Sequence, residues 1–280
     1  MKPVLFAIVL SWATLVGAQT DVLIESATAR ADSGSNSPVM MRAILLKPAT
    51  SGDSAVLFFR GVPGYAKIQS PADKQRNMIP FARAMERALL PEGIALVIMD
   101  CPTDQWGEYG SGPTGYMATN CLDDYRSSKT HADDVRGVMA RLAKDHGYSK
   151  IFLLGHSMGT LSSRWLATQL GYGIAGSIHS ASVNLPNPKG HYSSARSIPY
   201  DAMRAPVLHV HNEGDACRGT PYHIVKSYAG SNLLSVRGGT PEGNPCGGGH
   251  LHSYQGIEDI VAKAVVGWIK TGKAEAAVGG

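Results

Sequence analysis

The chain has 280 residues, 44% of them hydrophobic and 17% charged, with a formal net charge of +4. That length supports one large α/β domain with a substantial core. The charge is mild and no basic cluster is interleaved with aromatics, which argues against nucleic acid as a partner.

Residues 1–18 read as a signal peptide. Lys2 gives a positive n-region, Val4 to Val16 an apolar h-region too short to span a bilayer, and Val16-Gly17-Ala18 a small-residue cleavage site. The mature domain then covers 19–280, beginning at Gln19, in a secreted or periplasmic location. An uncleaved N-terminal anchor is the competing reading. No later stretch reaches transmembrane length, so no membrane attachment is expected after cleavage. Export permits disulfides, and the four cysteines, Cys101, Cys121, Cys217 and Cys246, fit two bridges with three possible connectivities. Their spacings lack the close pairs of zinc sites, so no metal is expected.

Two strands, 21–26 and 39–46, come first, separated by a turn-rich segment. Ala55-Val-Leu-Phe-Phe59 is wholly apolar, as expected of a parallel strand covered on both faces. It leads into Arg60-Gly-Val-Pro-Gly64. Residues 80–90 have helical spacing through Phe81, Met85 and Leu89, stopped by Pro91 and Gly93. A buried strand, 94–99, precedes a long loop, 101–129, rich in Gly, Pro, Tyr and Asp. Residues 131–146 form the clearest mid-chain helix, with Val135, Val138, Met139 and Leu142 on one face and Gly147 placed to end it. Further strands are expected at 151–154, 174–179, 206–211 and 232–236. The final helix, 257–270, carries an apolar stripe of Ile257, Ile260, Val261, Ala264, Val265, Trp268 and Ile269. Strands alternating with helices predict a mostly parallel sheet of about eight strands flanked by helices. The segment 180–204 is too short for a large lid domain.

The stretch Ile151-Phe-Leu-Leu-Gly-His-Ser-Met-Gly159 sets an apolar strand against a G-x-S-x-G turn and a following helix. In that context the motif is a nucleophile elbow with Ser157 at its apex. Gly155 and Gly159, lacking Cβ, let the backbone close around a strained turn. The competing reading is a tight strand–helix turn without chemistry. A serine hydroxyl is a poor nucleophile unless a histidine takes its proton and an acid orients that histidine. The acid is best placed at Asp215, in the turn after the strand 206–211, with Glu213 as the rival in the same loop. The base comes from the loop before the last helix, which offers His252 and His250.

At this point the chain resembles the α/β-hydrolase fold serine hydrolases, in particular their esterase and dienelactone-hydrolase-like branches. The segment His252-Ser-Tyr-Gln-Gly-Ile-Glu258 is similar to the one in which their histidine precedes a small residue, an aromatic, a glycine and a glutamate opening the final helix. The resemblance favours His252 over His250. It also implies an oxyanion hole made by the Met158 amide and by an amide from the loop after the third strand. Arg60-Gly-Val-Pro-Gly64 is similar to the His-Gly-x-x-Gly loop of that family and points to Val62, with Arg60 standing where histidine is usual. Within this resemblance the bridges Cys101–Cys121 and Cys217–Cys246 are favoured. The second would tie the acid loop to the histidine loop, and the first brackets the loop that rims the pocket. Trp106, Tyr109 and Tyr116 on that loop either contact substrate or fill its core.

The remaining histidines draw structural readings. His209 and His211 share a strand face and are expected to be buried and hydrogen-bonded rather than metal ligands. His156 is a common elbow residue, and His131 falls at a helix start. The resemblance implies an exported serine hydrolase acting on carboxylic esters, with a small-molecule acyl substrate and no cofactor. A peptidase, amidase or thioesterase with the same triad, and a non-catalytic binding protein keeping the fold, are the alternatives.

Overall fold

A computed structural model describes residues 21–50, 52–107, 121, 123–186 and 192–280. The signal peptide reading and the residues Tyr109 and Tyr116 lie outside the described residues. The strands, in chain order, are β1 (Val22–Ala31), β2 (Pro38–Leu46), β3 (Ser54–Phe59), β4 (Ala95–Met99), β5 (Lys150–His156), β6 (Gly176–Ser180), β7 (Val207–Asn212), β8 (Leu233–Arg237) and β9 (Ala277–Gly279). They form one sheet with the order β1-β2-β4-β3-β5-β6-β7-β8-β9. The β1–β2 and β2–β4 pairs are antiparallel, and from β4 onward every pairing is parallel. The mostly parallel sheet expected from the sequence is present, with β9 as an addition at its end.

The helices are α1 (Lys74–Asn77), α2 (Pro80–Leu89), α3 (Asp123–Arg126), α4 (Lys129–His146), α5 (Gly159–Leu170), α6 (Tyr222–Ala229) and α7 (Glu258–Thr271). The sheet is buried on both faces because its central strands are apolar on both, and each side chain meets a helix. On one face Val56, Phe58, Leu96, Ile98 and Leu154 pack with Phe81 and Met85 of α2 and Val261 and Val265 of α7. On the other, Leu57, Val97 and Leu153 pack with Val135, Val138 and Leu142 of α4 and Leu166 of α5. Ser128 caps α4, its Oγ accepting from the His131 amide at 3.1 Å, and Gly147 ends the helix at φ +78°. His131 is therefore at a helix start, and it is buried.

The stripe read for α7 needs a correction. Ile260 is 48% exposed, and Ala262 and Val266 are buried instead. The apolar residues of α7 run almost all the way round the helix, so spacing alone does not choose the inner face. Short α6 and the three-residue β9 carry too few residues for a periodic signal and were not anticipated.

Candidate active site

β5 runs straight into the turn that holds Ser157, and α5 begins two residues later. Ser157 sits at φ +53°, a left-handed conformation that costs a non-glycine residue on the order of 1–3 kcal/mol. The surrounding sheet holds it there: its amide donates to Ser180 O at the end of β6, at 2.9 Å. The flanking glycines are required by contact. A Cβ on Gly155 would run into Ser163 Oγ and Gly159 O, and one on Gly159 into Phe59 O. Ser157 is half-exposed at the floor of a cavity of about 520 Å³.

Asp215 follows β7, and His252 lies in the turn between β8 and α7. Their side chains meet, His252 Nδ1 lying 2.9 Å from Asp215 Oδ2. The same carboxylate oxygen accepts from Thr220 Oγ1 at 2.8 Å, and His211 Nε2 approaches it at 3.3 Å. The Cys217 amide donates to Asp215 Oδ1 at 2.9 Å. Burial works to raise the Asp215 pKa, but the contacts with His211 and His252 outweigh it, and the carboxyl is held below the usual carboxylate range. A carboxylate accepts only, so the His252 proton resides on Nδ1 and Nε2 carries the lone pair. That Nε2 is buried and has no hydrogen-bond partner among the described residues, while His252 and Ser157 both line the cavity.

The rivals lie elsewhere. His250 is buried but does not line the cavity, and its carbonyl accepts the Ser253 and Gln255 amides. Glu213 is engaged with Arg237 at 3.1 Å. His156 is fixed on both nitrogens, Nδ1 to Ser180 Oγ at 3.0 Å and Nε2 to Ser253 Oγ at 3.1 Å, and burial pushes its pKa far below the ordinary imidazole value. Tyr254 Oη bonds Ser180 Oγ and Val210 O, so the histidine loop is moored to β6 and β7. His209 packs on the ring of His179 at 5.1 Å, and His211 Nε2 reaches Thr220 O at 2.8 Å. Among the described residues no group of three His, Cys, Asp or Glu could hold a metal ion.

Across Ser157 from the histidine lies the loop after β3. A Cβ on Gly61 would sit 3.1 Å from Ser157 Cβ, which places this loop directly against the elbow. Among the described residues neither the Val62 nor the Met158 amide donates to another group. Arg126, fully buried, holds the loop in place: Nη2 donates to Gly64 O at 2.9 Å, Nε to Cys121 O at 3.0 Å, and Nη1 to Ser162 Oγ on α5. Burial lowers its pKa to about 10. Asp100 anchors the next stretch by accepting the Ala66 and Ile68 amides at 2.6 and 2.7 Å. Arg60, where the family resemblance leads one to expect histidine, donates to Asn77 Oδ1 at 2.7 Å, so its side chain braces the loop against α1.

Cys101 is bonded to Cys121 and Cys217 to Cys246. The second bridge joins the Asp215 turn to the segment before His252 and also lines the cavity. Val183, Pro186 and Tyr192, from the segment after β6, form another wall. Trp106 does not reach the cavity. Its Nε1 donates to Cys101 O at 2.9 Å and its ring packs with Tyr65, Cys101, Cys121 and Tyr125. Sequence reasoning did not single out Thr220, Arg126, Tyr192 or Arg218. Thr220 stands five residues after Asp215, and only the folded turn brings its hydroxyl to the carboxylate.

No family model matches the chain, and no curated protein matches it by sequence. Solved structures do. Est1E from Butyrivibrio proteoclasticus is 16% identical with a TM-score of 0.56, the match covering 88% of this chain and 98% of that one. A second structure of Est1E holds ferulic acid. An esterase from Pyrococcus furiosus is 13% identical, TM-score 0.57, over 95% of this chain and 97% of that one. An α/β serine hydrolase without lid from Xanthomonas campestris is 14% identical, TM-score 0.50, over 86% and 93%. The chain has the α/β-hydrolase fold.

Proposed function

We propose that the chain is an exported serine hydrolase that cleaves carboxylic esters through an acyl-enzyme. The observation that carries this reading is the His252–Asp215 contact at 2.9 Å, with His252 Nε2 left unpartnered in the cavity that Ser157 also lines. Ser157 Oγ attacks the acyl carbonyl while His252 Nε2 takes its proton. Asp215, ionised, accepts from Nδ1–H and so keeps Nε2 basic and correctly turned. The Met158 and Val62 amides receive the oxyanion, a contribution of roughly 3–4 kcal/mol per donor in comparable sites. His252 returns the proton to the leaving alcohol. Water, activated by the same histidine, then releases the acid and regenerates Ser157. The cycle calls for no metal or cofactor.

The structural neighbours named as an esterase or holding ferulic acid incline the reading to carboxylic esters of modest size. Removal of residues 1–18 would deliver the domain 19–280 to an oxidising compartment, in keeping with its two disulfides. No helix of the described residues is long and apolar enough to cross a membrane.

The test is covalent labelling of purified protein with a fluorophosphonate, read by mass spectrometry. Label is expected on Ser157, with turnover of p-nitrophenyl acetate that falls about 10⁴–10⁶-fold in Ser157→Ala and in His252→Ala. Folded protein that takes no label, or equal loss of turnover in His250→Ala, refutes the assignment.

A further inference from the structure

The space around Ser157 is basic. The cavity that Ser157 lines carries two guanidinium groups, Arg60 and Arg218. A second cleft of about 440 Å³ lies on the other side of the Val62–Pro63 turn and shares Arg60 and Val62 with the first. It adds Lys67 and Arg76. Among the described residues no carboxylate side chain lines either space. Two acids lie close by: Asp73 takes up part of the Arg76 charge, and Asp100 acts on Arg60 to oppose the effect of burial on its pKa. Asp73 pairs with Arg76 at 2.9 Å and accepts the Gln69 and Ser70 amides. Asp100 lies buried beneath the loop, taking the Ala66, Ile68 and Cys101 amides.

Arg60 is the hinge between the two spaces. One of its nitrogens is spent on Asn77, while Nε is buried and has no hydrogen-bond partner among the described residues. Burial already lowers the pKa of this guanidinium. The Arg60 side chain is only half-buried and lines both spaces, so an anion in either can meet the charge of its guanidinium. An electropositive cleft also raises the local concentration of anionic substrate.

We propose that the basic cleft is a subsite for a carboxylate carried by the ester substrate. This rests on the esterase reading and narrows it. The substrate is an ester with a negatively charged group a few bonds from the scissile carbonyl. Its anion lies against Arg60, with Lys67 and Arg76 around it, while the carbonyl faces Ser157.

The experiment compares matched esters on the mature, disulfide-bonded protein. With charge on the alcohol side, 4-acetoxybenzoate is set against neutral 4-acetoxybenzamide. With charge on the acyl side, mono-p-nitrophenyl glutarate is set against p-nitrophenyl pentanoate. In at least one pair the anionic ester is expected to have a kcat/KM at least about tenfold higher. That ratio should shrink as NaCl rises from about 0.05 to about 0.5 M. It should collapse toward one in Arg60→Gln and fall in the Lys67→Gln, Arg76→Gln double variant, which lies on the exposed side and guards against misfolding of the first. Arg218→Gln should leave the ratio standing.

A ratio of one or less in both pairs, with neutral esters hydrolysed and Ser157 labelled, overturns the subsite while the esterase reading survives. Loss of the ratio in Arg218→Gln alone overturns the cleft as its location. If neither ester is hydrolysed and no label is taken, the esterase reading fails. Calorimetry of 4-hydroxybenzoate against 4-hydroxybenzamide then decides the subsite, equal affinity refuting it.

Discussion

Lowering the pH from 7 to 5 should destabilise this protein through its buried histidines, and His209 makes the case measurable. His131, His156, His179 and His209 are all buried, and burial pushes each below the ordinary imidazole pKa, His209 to about 3. His209 faces His179, Tyr200 and Tyr228, and the nearby Arg164 guanidinium also disfavours a second positive charge. Because the folded pKa lies below the unfolded value near 6.5, the unfolded chain takes up the proton first. The stability contribution is therefore complete above about pH 6.5 and is lost as pH falls toward 3. For His209 alone the linkage relation gives a loss of about 2 kcal/mol between pH 7 and 5, and about 4 kcal/mol by pH 3. Carboxylates of ordinary pKa titrate mostly below about pH 5, so the interval from about pH 5 to 7 is dominated by the imidazoles. Urea melts at pH 7, 6 and 5, followed by circular dichroism, read this directly. His209→Phe should lose about 2 kcal/mol less than the parent over that interval, whatever its stability at pH 7. Parallel pH dependence in the two proteins would refute the reasoning.

The other predictions concern the candidate site. Asp215→Asn leaves a neutral partner that can also donate, so His252 loses its preferred tautomer and kcat should fall about 10⁴-fold; turnover within a few-fold of the parent removes Asp215 from the mechanism. Thr220→Val deletes the 2.8 Å hydrogen bond to Asp215 and should cost about 1 kcal/mol of stability and a comparable factor in kcat. An unchanged rate would show that His211 and His252 hold the carboxylate without it. Replacing Cys217 and Cys246 together by serine opens a loop closed across a separation of 29 residues and should cost roughly 3.5 kcal/mol in urea melts. The same variant should lose activity under conditions where it remains folded, since the bridge joins the acid and histidine turns. A stable variant with full activity contradicts that role.

Much of the fold was legible because its strands announce themselves. β4 is apolar at every position, as are 55–59 of β3 and 151–154 of β5, the pattern of strands in a doubly covered parallel sheet. The turn residues at 155–159 mark the elbow because two glycines flank a serine where strand gives way to helix. What stayed hidden depended on contacts far apart in sequence. Nothing near Arg126 shows that its guanidinium will bridge Gly64, Cys121 and Ser162. His211 read as a core histidine, and only the fold brings it to Asp215. Ile260 looked as apolar as its neighbours, and its exposure follows from which way α7 rolls onto the sheet. Trp106, in the loop after β4, reads from sequence either as a substrate contact or as loop core, and the fold settles it by turning the indole inward.

The parallel pairing of β3 with β5, from Ser54 opposite Lys150 to Phe59 opposite Gly155, has a consequence for how the site comes into being. The loop that carries Val62 follows β3, while Ser157, Asp215 and His252 follow strands from the later part of the chain. The β3–β5 pairing is the seam that joins the two parts of the sheet, and closing it requires a distant stretch of chain to dock, which is slow compared with helix formation. During refolding, reactivity of Ser157 toward a fluorophosphonate should therefore lag the recovery of helical circular dichroism. The reagent becomes a clock for the closing of that seam.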